Sequence, residues 1–166
     1  MSRIRFNVFG GGMLLAASLV AHAHHMPEHA AAMGEPVASA AAADLSVTSC
    51  WVRVMPAQVP SAAYFTVQNT GDLATRLVNV ETAAYGSVMM HATTQTGGMS
   101  RMSMAHDVAI APRARLAFEP GGYHVMLSKP TRSIEVGQTM DLTLVFAGNV
   151  RVQVPCRLRE ASALGH

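Results

Sequence analysis

From Leu45 to Leu158 the chain is a succession of short runs that alternate apolar and polar side chains, with no sustained helical stripe between them. The runs are LSVTSCWVRV, AAYFTVQN, TRLVNVET, GSVMMHAT, SRMSMA, ARLAFE, YHVMLS, MDLTLVFA and VRVQVPCRL. Turn signals separate them, among them Asn69-Thr70-Gly71-Asp72, Gly97-Gly98, Pro120-Gly121-Gly122 and Gly148-Asn149. Strands that follow one another without crossover helices bury a core as an antiparallel sandwich or barrel, and the expected fold class is therefore all-β. Period-two alternation places Leu142, Leu144 and Phe146 on one face, and these residues with Trp51 and Phe65 are the expected core.

The other 50-odd residues of the 166-residue chain are read differently. Arg3 and Arg5 precede an apolar run from Phe6 to Val20, and Ala21-His22-Ala23 then presents small residues at the positions a signal peptidase reads. Residues 1–23 are thus expected to be a signal peptide for export to the periplasm, with Ala38-Ser39-Ala40 as a weaker second cleavage site. Residues 24–44 read as a flexible leader rich in His, Met and Ala, residues 45–157 as the β domain, and residues 158–166 as a polar tail. Losing Arg3 and Arg5 from the twelve Lys and Arg brings the mature chain level with its ten Asp and Glu. No basic stripe invites nucleic acid, and no later stretch approaches the roughly 18 apolar residues of a membrane span. A monomer is expected.

The residues that carry chemistry are not those of a familiar enzyme. GxSxG, HExxH, CxxC and GxxxxGK are absent, and no carboxylate pair stands out as acid and base, so the chain is read as a non-enzyme. Histidine and methionine are placed more tellingly. In PGGYHVMLSK, residues 120–129, His124 and Met126 share the face that Tyr123, Val125 and Leu127 avoid. In SVMMHAT, Met89 and His91 oppose Val88, Met90 and Ala92; in SRMSMA, Met102 and Met104 share a side. Convergence of His91, Met102, His124 and Met126 would make a site with two imidazoles and two thioethers. Thioethers are soft and neutral, which suits Cu(I) better than zinc, calcium or magnesium, and unlike thiolates they do not form disulfides in an oxidising compartment. Met90 reads as core; Met99, Met104 and His106 read as loop residues or neighbours of the site. Cys50 and Cys156 lie near the two ends of the domain, a spacing compatible with a disulfide or with two buried thiols.

The spacing His91-x10-Met102-x21-His124-x-Met126 resembles the H-x10-M-x21-H-x-M signature of the PCuAC family of periplasmic copper chaperones. CWVRVMPAQVPSAAYFTVQNTGD and FEPGGYHVML also resemble that family, and the likeness covers roughly residues 45–155. The resemblance implies a cupredoxin-like Greek-key β-barrel. It also implies Cu(I) held by His91, Met102, His124 and Met126 at an exposed site, and delivery to a recipient such as a cytochrome c oxidase subunit or another copper chaperone. Two positions depart from the pattern: Ala92 follows the first histidine, where Met or an acidic residue is frequent, and Cys50 precedes Trp51 in place of the usual Ala, so that a Cys50–Cys156 bridge would be a local addition. In the leader, His24, His25, Met26, His29 and Met33 form a candidate second metal site, including one for Cu(II). Other functions fit less well or less specifically. A periplasmic copper buffer or resistance protein would use the same ligands, whereas a blue-copper electron carrier wants a Cys beside a C-terminal His and Met, which Cys156 lacks.

Overall fold

The computed structural model describes residues 41–163; the signal segment, the leader donors His24, His25, Met26, His29 and Met33, and the last three residues lie outside them. After a 3-10 turn at Ala42–Asp44, the strands are β1 Leu45–Arg53, β2 Ser61–Asn69, β3 Thr75–Glu81, β4 Tyr85–Thr96, β5 Met99–Met104, β6 Val108–Ile110, β7 Arg115–Phe118, β8 Tyr123–Pro130, β9 Thr139–Phe146 and β10 Val150–Arg159. They join in one sheet in the order β5-β4-β8-β7-β2-β1-β10-β9-β3-β6, with β8 also paired to β2.

The sheet rolls around a single core to which nearly every strand contributes. Val52, Phe65, Leu77, Val125, Leu127, Leu142, Leu144 and Phe146 belong to it, and Phe65 stacks on Phe118 with ring centroids 4.5 Å apart. The expected all-β fold class is the one observed. Its ladders are mostly antiparallel, but β1 runs parallel to β10 through Trp51↔Arg157, Val52↔Leu158 and Arg53↔Arg159. A parallel pair needs a long connection rather than a hairpin, and the first and last strands have the whole domain between them.

Trp51 is buried, but not in that core. Thr48 pairs with Thr66 and Trp51 with Tyr64, so β1 spends three steps where β2 spends two, and Ser49 takes a left-handed φ of 54°. This β-bulge inserts one residue and reverses which parity faces inward. Leu45 and Val47 point to the core before it; Cys50, Val52 and Val54 do so after it. Trp51 is left on the outer face with Tyr64 and Ala62. Cys50, turned inward by the same bulge, is bonded to Cys156 of β10 with Cα atoms 4.5 Å apart.

At the end of β2, fully buried Asn69 anchors the loop predicted as a turn. Its side-chain amide donates to Leu73 O at 2.8 Å and Ala111 O at 3.1 Å, and its Oδ1 accepts from Gly71 N at 3.1 Å. Asn69→Ala would leave a buried site without its amide and free two carbonyls and one N–H, and is expected to cost about 2 kcal/mol of stability in chemical denaturation. A loss below about 0.5 kcal/mol, within the range of ordinary surface substitutions, would mean that water replaces all three contacts.

Candidate metal centre

Interstrand register decides whether donors remote in sequence can meet. At the tip of the β4–β5 hairpin, Gly97 and Gly98 have φ of 59° and 77°. Two consecutive positive φ values make the two-residue turn that matches strand twist, and Gly adopts them without a Cβ clash. The turn sets Thr96 opposite Met99, hence Thr93 opposite Met102 and His91 opposite Met104. On its other side β4 pairs with β8, placing His91 opposite His124 and Met89 opposite Met126. Directly paired residues share a face, so His91, Met102, His124 and Met126 lie on one outer face across three adjacent strands. The opposite parity supplies the core: Met90, Val125 and Leu127 are buried there, with Val88 packed against them.

The turn before β8 holds the histidine in place. Gly121, with φ of 85°, bends the chain so that Gly122 N donates to Glu119 O at 3.0 Å. The Gly122 carbonyl then accepts twice, from Thr93 N at 3.1 Å and from the His124 ring at Nδ1, also at 3.1 Å. A carbonyl can only accept, so Nδ1 carries the proton and Nε2 keeps its lone pair for a metal. His124 is only 6% exposed although it lies on the outer face. His91 stands edge-on to it, ring centroids 5.8 Å apart. Burial, and secondarily the neighbouring His124, push the His91 pKa below the ordinary imidazole value, which favours the neutral ring at neutral pH. Its Nδ1 is buried with no hydrogen-bond partner. A buried polar nitrogen left unpaired is costly, and a soft cation between the rings is a partner that would satisfy it.

Met102, His124 and Met126 line one cavity of about 360 Å3, together with Thr93, Arg53 and Tyr64. His91 is not part of that lining; it sits on β4, across the ladder from His124. The thioether of Met102 is the outermost of the four, its residue 53% exposed, while Met126 is partly covered. A larger cavity of about 500 Å3, lined by Met55, Val59, Tyr85, Leu127, Arg132 and Ile134 among others, gathers no set of soft donors.

Two features of the site were not legible in the sequence. Met104 rather than Met102 is the direct cross-strand neighbour of His91. Beyond Met126 the same face continues through its ladder partner Ala62 to Tyr64, Arg53 and Trp51. Arg53 donates to Tyr64 Oη and stands 5.4 Å from its ring centroid, and Arg159 lies 5.1 Å over Trp51. Burial raises the Tyr64 pKa, with Arg53 opposing it, so the phenol stays neutral. Among the described residues no three His, Cys, Asp or Glu side chains cluster as a cage for a harder metal, and no helix is long and apolar enough to cross a membrane.

The chain is similar to several known proteins. The Rickettsia prowazekii protein RP573 is 29% identical over 92 residues, covering 55% of this chain and 51% of that protein, so the chain spans about half the length of this relative. Among solved structures, the apo PCuAC domain of PmoF2 is similar with a TM-score of 0.62 and 23% identity, over 74% of this chain and 95% of that one. The Cu(I) form of DR1885 from Deinococcus radiodurans is similar with a TM-score of 0.56 and 28% identity, over 82% of this chain and 95% of that one. The fold is thus the cupredoxin-like β fold of PCuAC domains. Residues 45–156, which run from the first residue of β1 to the disulfide cysteine of β10, match the LpqE-like lipoprotein family, and the chain belongs to that family.

Proposed function

We propose that this protein is an exported metallochaperone that holds Cu(I) with His91, Met102, His124 and Met126 and passes it to a recipient copper protein. One observation carries the reading: the ladders of β4 with β5 and β8 bring two imidazoles and two thioethers to one face, with an unpartnered buried nitrogen among them. The two thioethers are soft and carry no charge, which suits Cu(I) better than hard or borderline cations. DR1885, whose fold is similar, has a structure in its Cu(I) form, and membership of a family described as lipoproteins is in keeping with export.

The gradient of exposure suits transfer. Met102 is accessible, Met126 partly so and His124 covered. An incoming ligand would displace Met102 first while the others retain the ion, giving a shared intermediate instead of free copper. The proposed role is carriage without catalysis, by a monomer in the periplasm. Cytochrome c oxidase is the recipient that the PCuAC resemblance suggests. Oxidase activity of a deletion strain under limiting copper tests delivery against simple buffering, since a buffer without a recipient leaves it unchanged.

The coordination itself has a direct test. X-ray absorption at the copper edge of the protein loaded with one Cu(I) should show sulfur and imidazole nitrogen scatterers in equal number. A shell without thioether sulfur, or one of oxygen alone, would refute the assignment.

A further inference from the structure

We propose that Met89, Met104 and His106 form a second Cu(I) subsite adjoining the first. All three line one small cavity of about 130 Å3 at the seam between β3 and β4, with Val78, Asn79 and Val80 of β3 forming its opposite wall. Two thioethers and an imidazole around a space of this size lie within reach of one ion. Trigonal coordination by two thioethers and an imidazole suits Cu(I) for the same reason as the first site, since no thiolate or carboxylate lines the cavity.

Packing does not account for these side chains. Met90 belongs to the core, whereas Met89 and Met104 are 36% and 57% exposed and belong to no core cluster. Every residue of β5 is exposed, and β5 is an edge of the sheet, so a thioether at Met104 fills no interior space. The backbone nevertheless holds the group in place. Ala105 N donates to Met90 O at 2.9 Å, continuing the β4–β5 pairing one step beyond Met104. Asp107 then takes a left-handed φ of 49° and ends the run directly after His106.

Position relative to the first site gives the subsite its role. Met104 is the direct cross-strand neighbour of His91, and Met89 that of Met126, a relation that brings Cβ atoms to about 5 Å. Each thioether of the subsite therefore borders a donor of the first site, and an ion can pass between the two by exchanging one ligand at a time. With three donors, all of them exposed, the subsite is the weaker of the two and acts as a point of entry or exit. Its metal follows from its own donors, so it stands or falls separately from the assignment of the first site.

The test titrates the full-length chain anaerobically with Cu(I) against bathocuproine disulfonate, beside Met89→Leu/Met104→Leu/His106→Ala and, separately, His124→Ala. Leucine keeps the volume of methionine at these exposed positions, and circular dichroism checks the fold. The wild type is expected to take up one more Cu(I) than the triple variant, which keeps the tightest equivalent at unchanged affinity. The leader is identical in every sample, so its copper cancels in that difference. Equal copper numbers in the wild type and the triple variant would overturn the proposal. So would loss of the tightest equivalent in the triple variant, which would make these donors part of the first site. If His124→Ala retains the tightest equivalent, the first site is misassigned, and the difference between wild type and triple variant still decides the second.

Discussion

Met102→Leu/Met126→Leu is expected to weaken Cu(I) binding at the tightest site by about a hundredfold or more, while the far-ultraviolet circular dichroism stays that of the wild type. Leucine matches methionine in volume and apolarity, so the exchange costs under about 1.5 kcal/mol even in a core, and Met102 is largely exposed while Met126 is only partly covered. What the exchange removes is a sulfur lone pair from each of two positions. Loss of outer-shell partners of a metal ligand already costs about 10–100-fold, and removing two inner donors should exceed that. His124→Ala should be at least as damaging as either single methionine exchange, because it also frees the Gly122 carbonyl that orients the ring. A competition titration reads all of these. An affinity within about threefold of wild type for the double methionine variant, a change of under about 1 kcal/mol, would remove both sulfurs from the site and with them the case for Cu(I) over a borderline metal.

The parts of this molecule that were legible in the sequence are those governed by a single strand. Alternation in GSVMMHAT assigned Met90 to the core and Met89 with His91 to the other face, and the ladder agrees. Alternation in YHVMLS did the same for Val125 and Leu127 against His124 and Met126. The Gly97-Gly98 signal marked a hairpin whose length sets the β4–β5 register. What was not legible depends on a departure from alternation or on pairing between distant segments. β6 is three residues long, too short to show a period. The bulge at Ser49 carries no glycine to announce it, so Trp51 was expected in the core although it packs outside. The β4–β8 pairing joins segments more than thirty residues apart at His91 and His124. No local pattern encodes such a register, and the spacing signature supplied by family resemblance stood in for it. The leader donors are a separate case, since they lie outside the described residues.

The bulge also sets up the second large effect. Cys50→Ala/Cys156→Ala is expected to lower stability by about 4 kcal/mol, seen as a drop of roughly 2–3 M in the urea midpoint. The bond closes a loop between residues 106 apart in sequence, and in the chain-entropy account a loop of that length restricts the unfolded ensemble by about 4.7 kcal/mol. The native ladder it reinforces is short, since β1 and β10 exchange only the three pairs from Trp51 to Arg53. A short parallel pairing between the two ends of a domain gains little until the rest has folded, and a bond that survives unfolding removes most of that delay. Alanine is chosen over serine because Cys156 is fully buried and a hydroxyl there would need a partner. Copper affinity of the folded variant should not change: the bulge turns Cys50 towards the core, whereas His91 and His124 occupy the outer face. A midpoint within about 0.3 M of wild type would show that the bond contributes no loop entropy to stability. A stability loss accompanied by a comparable loss of Cu(I) affinity in still-folded protein would show instead that clamping the chain ends reaches the donors through β2, which pairs with β1 and sets Ala62 opposite Met126.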